Sequence, residues 1–131
     1  MLLSTTMSFE IETKIESDYL HLQVMGYYSL AEAIRMFKYS VDTALEHKKS
    51  KILIDVKGVE GSISAMERFE MSEFLVGYTK EQNFINIGQI AVIGNEPQID
   101  KDRFGETVAV NRGLNIKAFT NWSDAIKWLA N

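Results

Sequence analysis

Residues 51–56 read KILIDV and residues 57–82 read KGVEGSISAMERFEMSEFLVGYTKEQ, and these residues give the strongest indication of the fold class. The first segment is a short, nearly continuous apolar run, as expected of a strand covered on both faces. Gly58-Val-Glu-Gly61 predicts a loop. Ser64 and Glu67 then form a capping-box pattern, which predicts a helix to the end of the quoted stretch. A buried strand, a loop and a helix in this order are typical of an α/β domain.

The sequence before this stretch predicts two strands and a helix. Apolar and polar residues alternate over residues 9–15 and again over 19–25, and the turn signal Ser17-Asp18 lies between them. This pattern predicts an antiparallel hairpin. A second capping box, Ser29 with Glu32, opens a helix whose apolar residues recur at helical spacing.

The sequence after it predicts a buried strand at residues 90–93, a weaker helix over 100–111, a strand over 115–119 and a last helix capped by Asn121 or Ser123. We therefore expect a single α/β domain with a mixed five-stranded sheet covered by about four helices, in the order β-β-α-β-α-β-α-β-α. The helices separate strands by enough residues for right-handed crossovers, so the later strands should be parallel. Residues 1–7 are expected to form a flexible tail before a domain over 8–131.

Composition narrows the class of protein. Of the 131 residues, 46% are apolar and 24% are charged, which is typical of a folded globular domain. The net charge of −4 argues against a nucleic-acid partner, and the lack of cysteine excludes thiolate chemistry and zinc–thiolate sites. Neither His21 nor His47 has metal-ligand spacing, so we predict no metal and no cofactor. The sequence contains no signal peptide and no transmembrane run, which predicts a cytoplasmic protein.

In an open α/β sheet, sites gather beyond the carboxyl ends of the parallel strands. Ser62, Ser64 and Asp55 are our candidates for a phosphorylation or anion-binding site there, because a helix start favours negative charge. The alternative is structural: Ser64 is an ordinary helix cap, Ser62 a loop hydroxyl, and Asp55 a carboxylate paired with a loop amide or a basic side chain. Arg103 and Arg112 are the best candidates for holding an anion.

The helix that begins after Ser64 has two apolar stripes. The first contains Met71, Phe74, Leu75 and Tyr78; the second contains Ala65, Phe69 and Val76. A helix packed on a sheet needs only one stripe, so the second must contact a neighbouring helix, a ligand or another subunit. We interpret the second stripe as a partner surface. Four aromatic residues are predicted either to line a ligand pocket or to fill the core: Tyr27, Tyr28, Phe74 and Tyr78.

The segment ILIDVKGVEGSISAMERFE at residues 52–70, the element order and the ending FTNWSDAIKWL at 119–129 resemble the STAS domain. They also resemble the small SpoIIAA-like, STAS/SEC14-type bacterial proteins. The resemblance covers about residues 8–130, and it implies the SpoIIAA-like fold.

In anti-sigma-factor antagonists of this kind, the loop after the third strand reads approximately D-S-S-G, and a partner kinase phosphorylates one of its serines. Aligning Asp55 with the strand's aspartate places Ile63-Ser64-Ala65-Met66 over that tetrad. Ser64 then matches the first serine, whereas Ala65 occupies the usual phosphoacceptor position. A shifted alignment brings Ser62 or Ser64 to that position. The SEC14-type branch implies a lipid pocket instead.

These observations leave three classes of function. The first is a non-enzymatic regulatory module that binds a protein partner or a second copy through residues 58–78, with 58–66 projecting into solvent. In that case an aspartate at Phe69 or Val76 should disrupt association and leave the fold intact. The second is a SEC14-like carrier of a small apolar or anionic ligand. The third is an enzyme using Asp55, which no spacing of base and nucleophile supports.

Overall fold

The computed structural model describes residues 8–96, 98–99 and 103–131. These residues form the nine elements in the predicted order: β1 (Glu10–Ile15), β2 (Leu20–Tyr27), α1 (Leu30–Glu46), β3 (Lys51–Glu60), α2 (Ala65–Glu81), β4 (Gln89–Ile93), α3 (Phe104–Asn111), β5 (Ile116–Phe119) and α4 (Trp122–Leu129). The predicted tail at 1–7 and the predicted start of the third helix at residue 100 lie outside the described residues.

The five strands form one sheet in sequence order, β1-β2-β3-β4-β5. β1 and β2 pair antiparallel, as the hairpin pattern predicts, and each later strand is parallel to the one before it. The mixed five-stranded α/β fold predicted from the sequence is therefore confirmed. Because β2 to β5 are parallel, their carboxyl ends meet at one edge, which we call the carboxyl rim.

Helices cover both faces of the sheet. The inner face carries α1, α2 and α3, whose buried residues Met36, Leu75 and Ala109 share the main core with Leu22 and Ile54. The outer face carries α4, whose Ala125 and Leu129 pack in a second cluster against the following strand residues: Leu53, Ala91, Ile93 and Phe119. Alternate residues of a strand point to opposite faces, so each strand side chain can be assigned to one of the two layers.

Helix caps fix several of the element starts. The Ser29 hydroxyl accepts a hydrogen bond from the Glu32 amide at 3.1 Å, at the start of α1. At the start of α4, the Asn121 side chain accepts a hydrogen bond from the Asp124 amide at 2.9 Å. Asn121, rather than Ser123, is therefore the cap of the last helix. Such caps satisfy amides that have no partner within the helix.

The predicted loop Gly58-Val-Glu-Gly61 is wrong for most of its length, because β3 continues to Glu60. Val59 is 5% exposed and belongs to the main core. The pairing of β2 with β3 shifts between Gln23 and Met25, so an extra β3 residue interrupts the alternation that would have indicated a strand. A side chain at Gly58 would lie 2.7 Å from the Met25 Cγ atom, which explains the glycine beside the shift.

Candidate functional site

The loop between β3 and α2, residues 61–64, lies at the carboxyl rim. It begins at Gly61, whose φ of +112° is a conformation that residues with a side chain rarely adopt. Ser62 and Ser64 are exposed, and Ile63 is half-buried. The first two residues of α2, Ala65 and Met66, are also exposed. Except for Ile63, residues 61–66 are therefore exposed as expected, whereas residues 58–60 belong to the sheet.

The two serines of this loop differ in what holds their hydroxyl groups. Ser64 is the N-cap of α2: its hydroxyl accepts from the Glu67 amide at 3.1 Å, and the Glu67 carboxylate accepts from the Ser64 amide at 3.2 Å. This is the capping box predicted from the sequence. Ser62 is exposed and outside the helix. The hydroxyl of Ser64 therefore has a structural role.

Asp55 lies away from both serines. By strand alternation it shares the outer face with Leu53, whereas α2 covers the inner face with Ile54. Its carboxylate accepts a hydrogen bond from the Lys57 amide at 2.9 Å. The structural alternative for Asp55, pairing with a nearby backbone amide, is what the structure contains. Asp55 belongs to β3 and not to the loop of Ser62 and Ser64, and a phosphorylation or anion-binding role at any of the three residues stays a prediction.

The predicted partner stripe on α2 is largely covered within the chain. Val76 is 4% exposed and belongs to the main core. Phe69 is half-buried, and the guanidinium carbon of Arg112 lies 5.5 Å from the centre of its ring. Only Ala65 is exposed. The stripe forms because α2 lies between α1 and α3 and contacts both helices, so it needs two apolar sides.

The four aromatic residues predicted to line a ligand pocket do not come together. Tyr27 is 54% exposed at the end of β2. Phe74 and Tyr78 stack on each other at 5.5 Å between ring centres, and the Tyr78 hydroxyl donates a hydrogen bond to Asp42 of α1. That hydrogen bond is the main reason that the pKa of Tyr78 is raised to about 12. Tyr78 therefore joins α2 to α1, and Phe74 supports the Tyr78 ring from within α2.

Tyr28 alone lines a cavity. The cavity measures about 80 Å³ and lies between the inner face of the sheet and α1 and α2. A second cavity of about 110 Å³ shares four of its lining residues: Phe37, Met71, Val92 and Gln98. The Tyr28 hydroxyl is buried and has no hydrogen-bond partner in the described part of the chain, and burial raises its pKa to about 12. The four aromatic side chains therefore do not line a common pocket, and Tyr28 lines one of two small neighbouring cavities that are partly open to solvent.

The two arginines suggested as anion ligands are both used inside the fold. Arg112 forms an ion pair with Glu73 of α2, in addition to its contact with Phe69. Arg103 donates a hydrogen bond to the carbonyl oxygen of Ala118, and its Nη1 atom lies 3.7 Å from Glu106. Both side chains therefore join α3 to its neighbours.

The outer face contains a contact that the sequence pattern does not predict. The His21 ring meets the Trp122 ring edge-on, with 5.0 Å between centres, and its Nε2 atom is buried without a hydrogen-bond partner among the described residues. Burial is the main cause of a lowered pKa for His21, while Asp55 acts in the opposite direction. Strand alternation places His21 on this face, but nothing in the sequence shows that α4 covers it.

No group of acidic or histidine side chains in the described residues could hold a metal ion. None of the helices described is long and apolar enough to cross a membrane.

Comparison with known proteins gives a likeness of structure. No protein-family model matches the chain, and no curated protein sequence matches it. An anti-sigma factor antagonist from Mycobacterium paratuberculosis superposes with a TM-score of 0.62 at 14% identity, covering 95% of this chain and 96% of the other.

Two further solved structures are similar. The anti-sigma factor antagonist SpoIIAA, in its unphosphorylated form, has a TM-score of 0.56 at 13% identity, covering 94% of this chain and 96% of its own. An uncharacterised DUF3478 protein with a SpoIIAA-like fold, from Shewanella loihica PV-4, has a TM-score of 0.55 at 19% identity, covering 93% and 94%. The chain therefore has the SpoIIAA-like fold that the sequence resemblance predicted.

Proposed function

We propose that the chain is a non-enzymatic regulatory module of the cytoplasm, which binds a protein partner through the exposed part of residues 58–78. The observation that carries the proposal is Met66, which is 66% exposed at the start of α2. Methionine is enriched in protein interfaces, and a large apolar side chain held in water gains free energy when a partner covers it.

The neighbouring side chains define the rest of this surface. Met66, Glu70, Glu73 and Gly77 are all exposed, and their spacing places them along one side of α2. Glu73 is paired with Arg112, whereas Glu70 carries a charge that faces solvent. We call this side of α2, together with residues 61–65, the rim surface. A partner that fits it has an apolar pocket for Met66 and a basic group for Glu70.

Two of the similar structures support a regulatory role, since they are described as anti-sigma factor antagonists. We extend the proposal to phosphorylation at Ser62 rather than Ser64. The Ser64 hydroxyl caps α2, whereas Ser62 is exposed in the loop and open to an enzyme. A phosphate at Ser62 would add negative charge beside Glu60, and a partner that tolerates the free hydroxyl would then meet repulsion.

Affinity capture from the native host tests the proposal. The wild-type protein and the variant Met66→Asp are used as baits, with Ile87→Asp as the matched control. Ile87 is 60% exposed, but it lies before β4, at the edge of the sheet opposite the carboxyl rim. We expect a protein that binds wild type and Ile87→Asp equally and that Met66→Asp loses by about tenfold or more.

The same partner, once purified, tests the phosphorylation step. Ser62→Asp should weaken its binding, whereas Ser62→Ala should bind as wild type does. Binding that neither Met66→Asp nor Ser62→Asp weakens, or that Ile87→Asp weakens as much, would show that the rim surface is not the interface.

A further inference from the structure

We propose that β1, the exposed edge strand of the sheet, pairs antiparallel with β1 of a second copy, giving a dimer with one continuous sheet. Among the residues that the structure describes, β1 pairs with β2 on one side only. An unpaired edge presents backbone N–H and C=O groups that can pair with another strand. This surface is separate from the rim surface, and the inference does not depend on the function proposed above.

The direction of the free backbone groups follows from Phe9, the residue before β1. Its N–H donates to the Glu32 carboxylate at 2.7 Å, and its C=O accepts from Arg35 at 3.2 Å. Both partners belong to α1, so the backbone groups of Phe9 point away from β2. A side chain at Gly26 would lie 3.4 Å from the Phe9 Cα atom, which is the close approach of a pair without mutual hydrogen bonds.

Backbone groups of alternate residues point to the same edge of a strand. Ile11, Thr13 and Ile15 therefore share the orientation of Phe9 and present their N–H and C=O groups outward. Their side chains lie on the inner face, where Ile11 packs against the main core and Thr13 contacts the Tyr39 hydroxyl at 2.8 Å. The charged side chains of β1 lie on the outer face: Glu10, Glu12 and Lys14.

One register pairs both the outward backbone groups and the charged side chains of β1. If the two-fold axis passes through Thr13, each Ile11 faces Ile15 of the second copy, and all outward backbone groups of these residues find partners. On the outer face, Glu12 then faces Lys14 of the second copy, twice. Ile15 is 48% exposed and Tyr39 is 39% exposed, so pairing would cover apolar surface that water now contacts. Glu16, just after the end of β1, faces Glu10 of the second copy, and this repulsion limits the strength of the dimer.

The neighbouring registers are worse. Centring the axis on Glu12 opposes Glu12 to itself and places Ile15 against Phe9, whose backbone groups are already bonded to α1. Centring it on Lys14 opposes two ammonium groups. Like charges directly opposite each other on a sheet are destabilising, whereas opposite charges and paired β-branched residues each stabilise it. The sequence of β1 is therefore self-complementary about Thr13.

Charge exchange at two positions tests this register. In Glu12→Lys, both cross-strand pairs become Lys–Lys, and in Lys14→Glu both become Glu–Glu. A mixture of the two variants restores two opposite-charge pairs in the heterodimer. All of these side chains are exposed, so each variant should keep the wild-type circular dichroism spectrum.

Sedimentation equilibrium over about three decades of concentration measures the result. We expect a reversible wild-type dimer, a dissociation constant about tenfold or more higher for each single variant, and recovery in the mixture. Met66→Asp should dimerise as wild type does. A wild-type protein that stays monomeric throughout, or single variants that associate like wild type, or a mixture that fails to recover, would overturn the proposal.

A disulfide gives a second measure of the register. The chain has no cysteine, so Thr13→Cys can bridge only to another copy. Facing residues in a hydrogen-bonded pair have Cα atoms about 5.5 Å apart, which lies within the range of a disulfide. We expect Thr13→Cys to form a covalent dimer on mild oxidation and the exposed control Glu46→Cys to form much less. Equal cross-linking of the two would contradict pairing at Thr13.

Discussion

Val76 can be interpreted as a core residue or as part of a partner surface, and the two interpretations predict different effects of a substitution. The sequence places it in the second apolar stripe of α2 with Phe69. In the structure it is 4% exposed and shares the main core with Leu75 and Phe84. A change at Val76 should therefore lower the stability of the isolated protein, whether or not a partner is present.

The size of the effect of Val76→Ala follows from its burial. Removing two buried carbon atoms costs about 1.6 kcal/mol in transfer free energy, and the space left behind adds about 1 kcal/mol. The higher helix propensity of alanine offsets about 0.5 kcal/mol. We expect a net loss of about 2 kcal/mol in the free energy of unfolding, and a melting temperature lower by about 6–10 °C for a chain of this size.

Urea unfolding followed by circular dichroism measures this loss. Glu70→Ala is the matched control, because Glu70 is exposed on the same helix and should change stability by no more than about 0.5 kcal/mol. If Val76→Ala is as stable as the control, the packing of α2 described above is wrong. Val76→Asp should fail to fold, since it buries an unpaired carboxylate. The expectation that this change would spare the fold is therefore corrected.

Three further predictions follow from local geometry. Ser64→Ala removes the cap of α2 and should cost about 1 kcal/mol in urea unfolding; partner binding at the rim surface that survives the change would confirm that the hydroxyl is structural. Gly88→Ala places a Cβ atom 2.0 Å from the ring of Phe84, which is fully buried, and should cost about 1–3 kcal/mol; a loss below that range would show that the ring can move aside. His21 has a pKa lowered from 6.5 by burial, so the unfolded chain binds its proton more tightly than the folded protein does. The stability that neutral His21 provides is present above about pH 6.5 and is lost as the pH falls through the lowered value, so His21→Gln should lose less stability than wild type between about pH 8 and pH 5, as measured by urea unfolding at both values.

The local signals in the sequence predict the elements well. Both serine caps begin helices at the expected residues, because a cap depends only on the side chains of one turn. The reciprocal capping box forms only at Ser64 and Glu67, since the Glu32 carboxylate accepts hydrogen bonds from Phe9 and Arg35 instead. The short apolar run at residues 51–56 belongs to the central strand β3. A strand that is covered on both faces needs apolar residues at successive positions, which is the pattern seen here. The pattern does not predict that β3 continues to Glu60, because the extra residue beside Gly58 breaks the alternation that identifies a strand.

The candidate site was harder to predict because it depends on which faces meet. Asp55, Ser62 and Ser64 are close in sequence, yet the first lies on the outer face and the other two follow the strand at the rim. Because neighbouring strand residues point to opposite faces, Asp55 lies on the face opposite Ile54. The sequence does not show that α2 packs on the Ile54 face, so it does not predict this separation. Tyr28 and Tyr78 likewise lie in different places, because Tyr78, in a later turn of α2, contacts Asp42 of α1. The hydropathy pattern does not predict that contact.

In a dimer formed through β1, the position of the β1 edge determines where the two rim surfaces lie relative to each other. Pairing β1 with its copy in antiparallel fashion reverses the direction of every parallel strand in the second copy. The two carboxyl rims, each with its own Met66, would then lie at opposite ends of the strands in the continuous sheet. A dimer of this kind has room for one partner at each end. Two partners per dimer, bound independently, would agree with this arrangement; a single partner per dimer would mean that occupation of one rim prevents binding at the other.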